Sequence, residues 1–290
     1  MTSAAAVLFN RVSNVLEFIK FSHTVFALPF ALIGMWTAGR GHVSWQTVLW
    51  ILCCMVCART AAMSFNRLID WEIDKGNPRT ANRHKLINKQ LGWALLLISA
   101  LAFVFSAAQL NRLCLLLSPL ALIIVLFYSI TKRFTAFSHF FLGFALGVAP
   151  IGAWIAVSGE ILNPVPLVLG ASVLCWVFGF DLIYATMDVE FDRNRGLFSF
   201  PARYGVPLTM KIAQGLHVFA VGGFLAFGWL AGFSWIYFVA WLLAALALVW
   251  EHRIADANDA GAVNKAFFNI NAVVSIILLA GVFLDSMLWK

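Results

Sequence analysis

The chain has 290 residues, of which 62% are hydrophobic and only 11% charged, and its mean hydropathy is +0.88, whereas a soluble domain is roughly 25% charged. That composition excludes a water-soluble globule, and 12 Trp and 27 Phe against 13 acidic residues exclude a disordered or coiled-coil chain. The net charge of +7 then asks which side of a bilayer the basic residues occupy.

In chain order, the first residues hold no short apolar stretch with a small-residue cleavage site, so no removable signal peptide is expected. A helix needs about 20 mostly apolar residues to cross hydrocarbon. Nine segments qualify or nearly so: 21–39, 43–65, 91–110, 113–130, 136–157, 164–187, 208–231, 234–250 and 268–288. The links Asn111-Arg112 and Gly232-Phe233 are short enough to force helical hairpins. No linker or composition shift divides the chain, so 1–290 reads as a single domain. With a cytoplasmic N-terminus, sixteen Lys and Arg fall on the cytoplasmic side, three (Arg40, Arg112, Lys290) fall opposite, and Arg59 lies inside span 2. The positive-inside rule fixes that orientation and removes any need for nucleic acid as a partner. The expectation is an all-α, polytopic protein of a bacterial inner membrane, its nine helices bundled around a cytoplasmic-facing cavity.

Span 2 ends in Asn66-Arg67-Leu68-Ile69-Asp70-Trp71-Glu72-Ile73-Asp74. On a continuous helix Asn66, Asp70 and Asp74 stay within about 40° of one face. Span 6 ends with Asp181, Tyr184, Asp188 and Asp192, where offsets of 7 and 11 again return to one face within about 20°. Both ladders face the same way at the same depth, four spans apart, as in a repeat about an axis along the membrane normal. So many like charges coexist only around cations, and all-oxygen ligation favours Mg²⁺. Solvated helix ends are the plainer reading of either ladder alone; two in register favour a site. Arg67, Lys75, Arg79, Arg83, Lys132, Arg133, Arg193, Arg195 and Arg203 adjoin the acids, and acids interleaved with Arg and Lys suit a diphosphate. Arg59 lies on the face of Asn66 about two turns deeper, and an intramembrane Arg is a functional candidate by default.

These residues resemble the UbiA family of membrane prenyltransferases, over essentially the whole chain, and most nearly its 4-hydroxybenzoate polyprenyltransferase branch. Lys20-Phe21-Ser22-His23-Thr24 and Asn77-Pro78-Arg79-Thr80 are similar to a subgroup associated with futalosine-type menaquinone synthesis. The resemblance implies transfer of a polyprenyl group from its diphosphate to an aromatic acid such as 4-hydroxybenzoate or a dihydroxynaphthoate. It implies Mg²⁺ held by Asn66, Asp70, Asp74, Asp188 and Asp192, with Asp70 and Asp192 essential to turnover. It places Arg59, Arg79, Lys132, Arg133 and Tyr128 around the diphosphate, and Asp181 with Tyr184 near the acceptor. Asp181 lies deeper than the metal ladder and is the candidate base. Lys20 and His23, three residues apart, read either as a seat for an acceptor carboxylate or as interfacial anchors. Two departures stand out: Arg67 where many members have Asp, and His84-Lys85-Leu86-Ile87 where many have a Pro-Leu-Pro-like run.

Other acceptors (haem, chlorin, a lipid) would share the diphosphate half of this chemistry. An ion-coupled transporter would instead set its acids near the midplane. Aromatic faces suit an allylic cation, and a groove open to lipid suits the prenyl tail. The five cysteines lie in apolar runs and read as small hydrophobes, since the Cys54-x-x-Cys57 spacing has no companion pair. His42, His84, His139, His217 and His252 lack partners at ligand spacing and read as interfacial or loop residues.

Overall fold

Backbone N–H and C=O groups in hydrocarbon must be paired within the protein, and an apolar helix does this alone. The computed structural model describes residues 4–77, 79–257 and 259–288, with side chains from residue 9 onward except at 21, 22 and 260. Of the residues quoted above, Pro78, Lys290 and the side chains of Phe21 and Ser22 lie outside the described residues. In chain order come α1 (Ala4–Phe18), a 3-10 stretch (Phe21–Phe26), α2 (Leu28–Ala38), α3 (Trp45–Ile69), α4 (Trp71–Gly76), a 3-10 turn (Arg83–Lys85), α5 (Lys89–Leu110) and α6 (Arg112–Thr131). They are followed by α7 (Ser138–Ser158), α8 (Pro164–Ala185), a 3-10 turn (Thr186–Asp188), α9 (Val189–Asn194), α10 (Phe200–Tyr204), α11 (Val206–Ala231), α12 (Trp235–Ile254), α13 (Ala260–Lys265), a π turn (Ala266–Ile270) and α14 (Asn271–Leu288). Among the described residues eight helices are long and apolar enough to span a membrane, and a bent pair ending in α2 makes nine.

Helix starts follow from side-chain chemistry. Ser44, Asn88, Asn111, Asn163 and Ser234 each accept a hydrogen bond from a first-turn amide, at Thr47, Leu91, Cys114, Val165 and Ile236, answering donors a helix N-terminus leaves unpaired. Asn111 alone separates α5 from α6, which forms the first expected hairpin. The second turns through Gly232, whose φ of +72° suits a residue without a Cβ.

The first span is not one continuous helix. Pro29 opens α2 and has no N–H with which to answer the carbonyl four residues back. That carbonyl, of Val25, accepts instead from the Ser275 hydroxyl at 2.9 Å. The last span begins in the π turn, where the Asn271 amide donates to the carbonyls of Ala266 and Phe267 at 3.3 and 3.1 Å. Trp45, Trp229 and Trp235 are exposed at the far end of the bundle, and Trp93 and Trp250 at the end rich in basic residues. Two such tiers fit two membrane interfaces.

α8 is the most buried span and packs between α7 and α11. Apolar residues in lipid gain little by leaving it, so helices associate through close van der Waals approach at small residues. A Cβ built on Gly147 would lie 2.5 Å from the carbonyl oxygen of Gly170, and one on Gly143 2.6 Å from that of Leu174. On the other side of α8, a Cβ on Gly179 would run into the His217 ring. His217 is therefore buried between helices, not interfacial: it bonds His252 Nε2 at 2.9 Å and the Trp176 carbonyl at 3.2 Å. Trp176 Nε1 in turn donates to Asn271 at 2.6 Å, and Asn271 donates to Glu251 at 2.6 Å. Gly147→Leu is expected to destabilise the bundle by about 1–3 kcal/mol through overpacking, read as a lower thermal midpoint in detergent. Gly222→Leu, where nothing lies within 4 Å, leaves the midpoint unchanged or raises it.

Candidate active site

The acids collect where α3 and α8 end, and both helices break there. α3 stops at Ile69, with Asp70 as its C-cap at φ −89° and ψ 10°. The backbone bonds Asp70 N–H to Asn66 C=O (3.0 Å) and Asp74 N–H to Asp70 C=O (2.7 Å) survive, but the turn at Asp70 sends the three side chains to different partners. Asn66 borders a cavity of about 1390 Å³. Asp70, buried, receives Lys132 Nζ at 2.5 Å and Arg133 Nη2 at 3.4 Å. Asp74, also buried, receives Arg83 Nη1 at 3.1 Å and faces Arg67 Nη1 at 3.6 Å. Arg67, the departure from the family pattern, is itself only 4% exposed and donates to the Phe18 carbonyl at 3.4 Å. Glu72 points outward, and hydrogen bonds from Lys75 and Lys89 hold its carboxyl below the usual range.

The second ladder is spread over three elements: Asp181 and Tyr184 on α8, Asp188 closing the 3-10 turn, Asp192 on α9. The straight-helix geometry expected for it is thus replaced by a stepped one. Asp188 accepts from Arg79 through Nε at 3.1 Å and through Nη2, and from Asn77 Nδ2 at 3.2 Å, while Arg79 Nη1 donates to the Tyr184 hydroxyl. Burial works against the Arg79 charge, but Tyr184 and Asp188 outweigh it and hold its pKa above the ordinary value. Gly76 sits so close to the Arg195 guanidinium that a side chain there would collide with it. Two segments more than a hundred residues apart are thus stitched into one shell.

Among the described residues no three His, Cys, Asp or Glu side chains stand together as a ready metal cage. The oxygen donors still fit Mg²⁺, which takes only one or two carboxylates when substrate phosphates and water complete its octahedron.

The cavity runs from this shell, past Lys132, Arg79, Arg83 and Tyr184, to Leu110, Ile155 and Ile161 at the opposite end of the bundle. Arg59 borders it about 10 Å along α3 from Asn66, apart from the carboxylate shell. Its Nη2 donates to the Lys20 carbonyl at 3.1 Å and its buried Nε has no partner. Lys20 adopts φ +50° and pairs with Glu17. Tyr128, Arg59 and Asp181 all border the cavity, with the Tyr128 hydroxyl 3.9 Å from Met63 Sδ. His23 packs in an aromatic cluster, 5.7 and 5.3 Å from the rings of Phe267 and Phe268, and Tyr184 lies 4.1 Å from Phe267. Asp181 borders the cavity and bonds His139 Nδ1 at 2.6 Å. His139 therefore has a partner and is only 7% exposed, against its reading as an unpartnered interfacial residue. Phe267 and Phe268 carry no signal in the sequence; Asn77 stood there only within a family-like motif, and His139 only as a histidine without a partner at ligand spacing.

The model of the UbiA prenyltransferase family matches residues 27–273. A 4-hydroxybenzoate octaprenyltransferase of Nitrosospira multiformis is 30% identical over 257 residues, covering 88% of each chain. The mitochondrial 4-hydroxybenzoate polyprenyltransferase of Arabidopsis thaliana is 28% identical over 80% of this chain, which spans 57% of that relative's length. In structure, a UbiA homologue from Aeropyrum pernix K1, solved in its apo form, superposes with a TM-score of 0.83 at 36% identity, covering 91% of this chain and 98% of that one. An Archaeoglobus fulgidus UbiA homologue bound to GPP and Mg²⁺ shares the fold, with a TM-score of 0.71 at 17% identity over 95% of this chain and 100% of that one. With a family match over most of its length, an acid-and-base shell where two spans break and a cavity leading from it through the bundle, this chain belongs to the UbiA prenyltransferase family.

Proposed function

We propose that the protein moves a polyprenyl group from its diphosphate onto an aromatic acid, with Mg²⁺, at the cytoplasmic face of a bacterial inner membrane and in the service of respiratory quinone synthesis. The carrying observation is the cavity that borders Asn66, Asp181, Arg79, Arg83 and Lys132 at the basic end and continues as an apolar passage about as long as a span. A diphosphate suits the first and a prenyl tail the second. The named activity of the Nitrosospira relative, and the GPP and Mg²⁺ of the Archaeoglobus homologue, support the reading.

Asn66, Asp70, Asp74, Asp188 and Asp192 would hold the metal. Bound there, Mg²⁺ would supply positive charge to offset that of the leaving diphosphate. Arg79, Lys132 and Arg133 exchange carboxylate oxygens for phosphate oxygens, stabilising the charge that grows as the C1–O bond breaks and its electron pair departs with the diphosphate. The apolar walls exclude water that would quench the allylic centre. An acceptor carboxylate fits Arg59, whose Nε is unpaired, beside Lys20, with the ring against Tyr128 and its hydroxyl toward Asp181. A ring carbon bonds C1, and the proton it loses passes to Asp181 as the ring regains aromaticity.

Asp70→Asn and Asp188→Asn are each expected to lower product formation at least about a hundredfold, measured by mass spectrometry of products from geranyl diphosphate, Mg²⁺ and an acceptor panel. EDTA stops the reaction and added Mg²⁺ restores it; turnover that persists in EDTA contradicts the proposal. Arg59→Met is expected to raise the KM of a carboxylate-bearing acceptor by about 10–100-fold, the loss of a charge-assisted pair. Its effect on the KM of geranyl diphosphate stays within about twofold. The reverse pattern would return Arg59 to the diphosphate.

A further inference from the structure

We propose that His139 is the positioning residue for the acceptor-side carboxylate, so that Asp181 works as half of an aspartate–histidine dyad whose carboxylate, not its imidazole, faces the substrate. This rests on the functional reading above, in which Asp181 takes the proton released by the acceptor.

The bond between Asp181 Oδ2 and His139 Nδ1 is 2.6 Å long, and the Asp181 side chain is 18% exposed against 9% for His139. Both residues border the cavity, and the carboxylate is the more open of the two. His139 Nε2 is buried and has no partner. That fixes the sense of the bond. A neutral imidazole carries one N–H; on Nε2 it would be an orphaned buried donor and leave Nδ1 with nothing to give a carboxylate. On Nδ1 it is donated to Asp181, and Nε2 is left as an under-used acceptor, the lesser cost.

The glycine seam makes the pairing possible. His139, Gly143 and Gly147 recur every four residues on α7 and so share one face. Gly143 and Gly147 bring that face against the α8 backbone at Leu174 and Gly170. Carried one further turn toward the basic end, the same contact sets His139 opposite Asp181. A carboxylate with free χ angles would sample several orientations; one held by a ring in a packed helix seam keeps its second oxygen toward the acceptor, the preorganisation that proton transfer requires. In the step itself the C–H electron pair returns to the ring, the proton goes to Asp181, and His139 Nδ1–H remains the donor throughout.

The test compares wild type, His139→Ala, His139→Asn, His139→Gln, Asp181→Ala and the His139→Ala/Asp181→Ala double variant, with geranyl diphosphate, Mg²⁺ and the acceptor the wild type uses best. His139→Ala is expected to lower kcat by about 10–100-fold, the usual scale for a residue that orients another, with the KM for geranyl diphosphate within about twofold. An Asn amide reaches the place of Nδ1 and a Gln amide that of Nε2, so Asn restores kcat to within about fivefold and Gln does not. The double variant is no slower than Asp181→Ala by more than about twofold, because a dyad acts as one unit. Should His139→Ala fail to fold in detergent, the Asn and Gln pair carries the comparison. A near-normal kcat in His139→Ala, equal rates in Asn and Gln, or multiplying losses in the double variant each overturns the dyad while leaving prenyl transfer intact. A wild type inactive on every acceptor, or an Asp181→Ala variant at full rate, refutes the functional reading and the dyad with it.

Discussion

A carboxylate in hydrocarbon has no water to turn to, so each one either pairs or is expelled. That constraint arranges this molecule. Asp70 has Lys132 and Arg133, Asp74 has Arg83 and Arg67, and Asp188 has Arg79. The cations that settle the acids are those suited to phosphate oxygens, so on the proposed function loading the site would be an exchange of partners. On the proposed function, Arg79, Lys132 and Arg133 would turn to the diphosphate and leave their carboxylates free to hold the metal. Neither half of that exchange is favourable alone, because breaking one partner from a buried pair strands a charge. On the proposed function, metal and diphosphate would therefore be coupled through these ion pairs.

The second organising feature is that regular helix gives way wherever the cavity needs walls. The Asp70 cap, the 3-10 turn at Thr186–Asp188, the 3-10 stretch before Pro29 and the π turn at Ala266–Ile270 all lie toward the basic end. Irregular backbone at membrane depth survives only where protein or a polar cavity answers its carbonyls, and Ser275 and Asn271 do so here. The π turn also brings the adjacent Phe267 and Phe268 to the cavity beside His23 and Tyr184, lining it with ring faces where positive charge would develop.

Among the described residues the eight single-helix spans and the bent pair were legible in the sequence, because twenty apolar residues in a row have few other fates and basic residues mark one end. Arg59 stood out for the same reason, as a charge where none belongs. The site was legible in its residue types but not in its geometry. Face arithmetic from Asn66 to Asp74, or from Asp181 to Asp192, presumes a helix that continues, and both helices stop at the ladders. Pro29 marks the break in the first span, which the apolar run around it conceals. Spacing along one helix is blind to partners on another: His139 meets Asp181 across 42 residues and His217 meets His252 across 35. All these histidines looked solitary because their partners are set by helix packing.

Packing and charge thus answer to the same element. α8 is gripped through Gly147 and Gly170 on one side and through Gly179 on the other, and it ends in the residues that meet Arg79. Because glycine contacts allow no slack, the height of α8 fixes the height of Asp181 against His139 and of Asp188 against the loop that carries Arg79. A bundle held by a broad greasy interface would let that register drift by fractions of a turn. Backbone against backbone does not, which is how a fold with little hydrophobic force between its helices holds acids and bases in the register that an anionic leaving group requires.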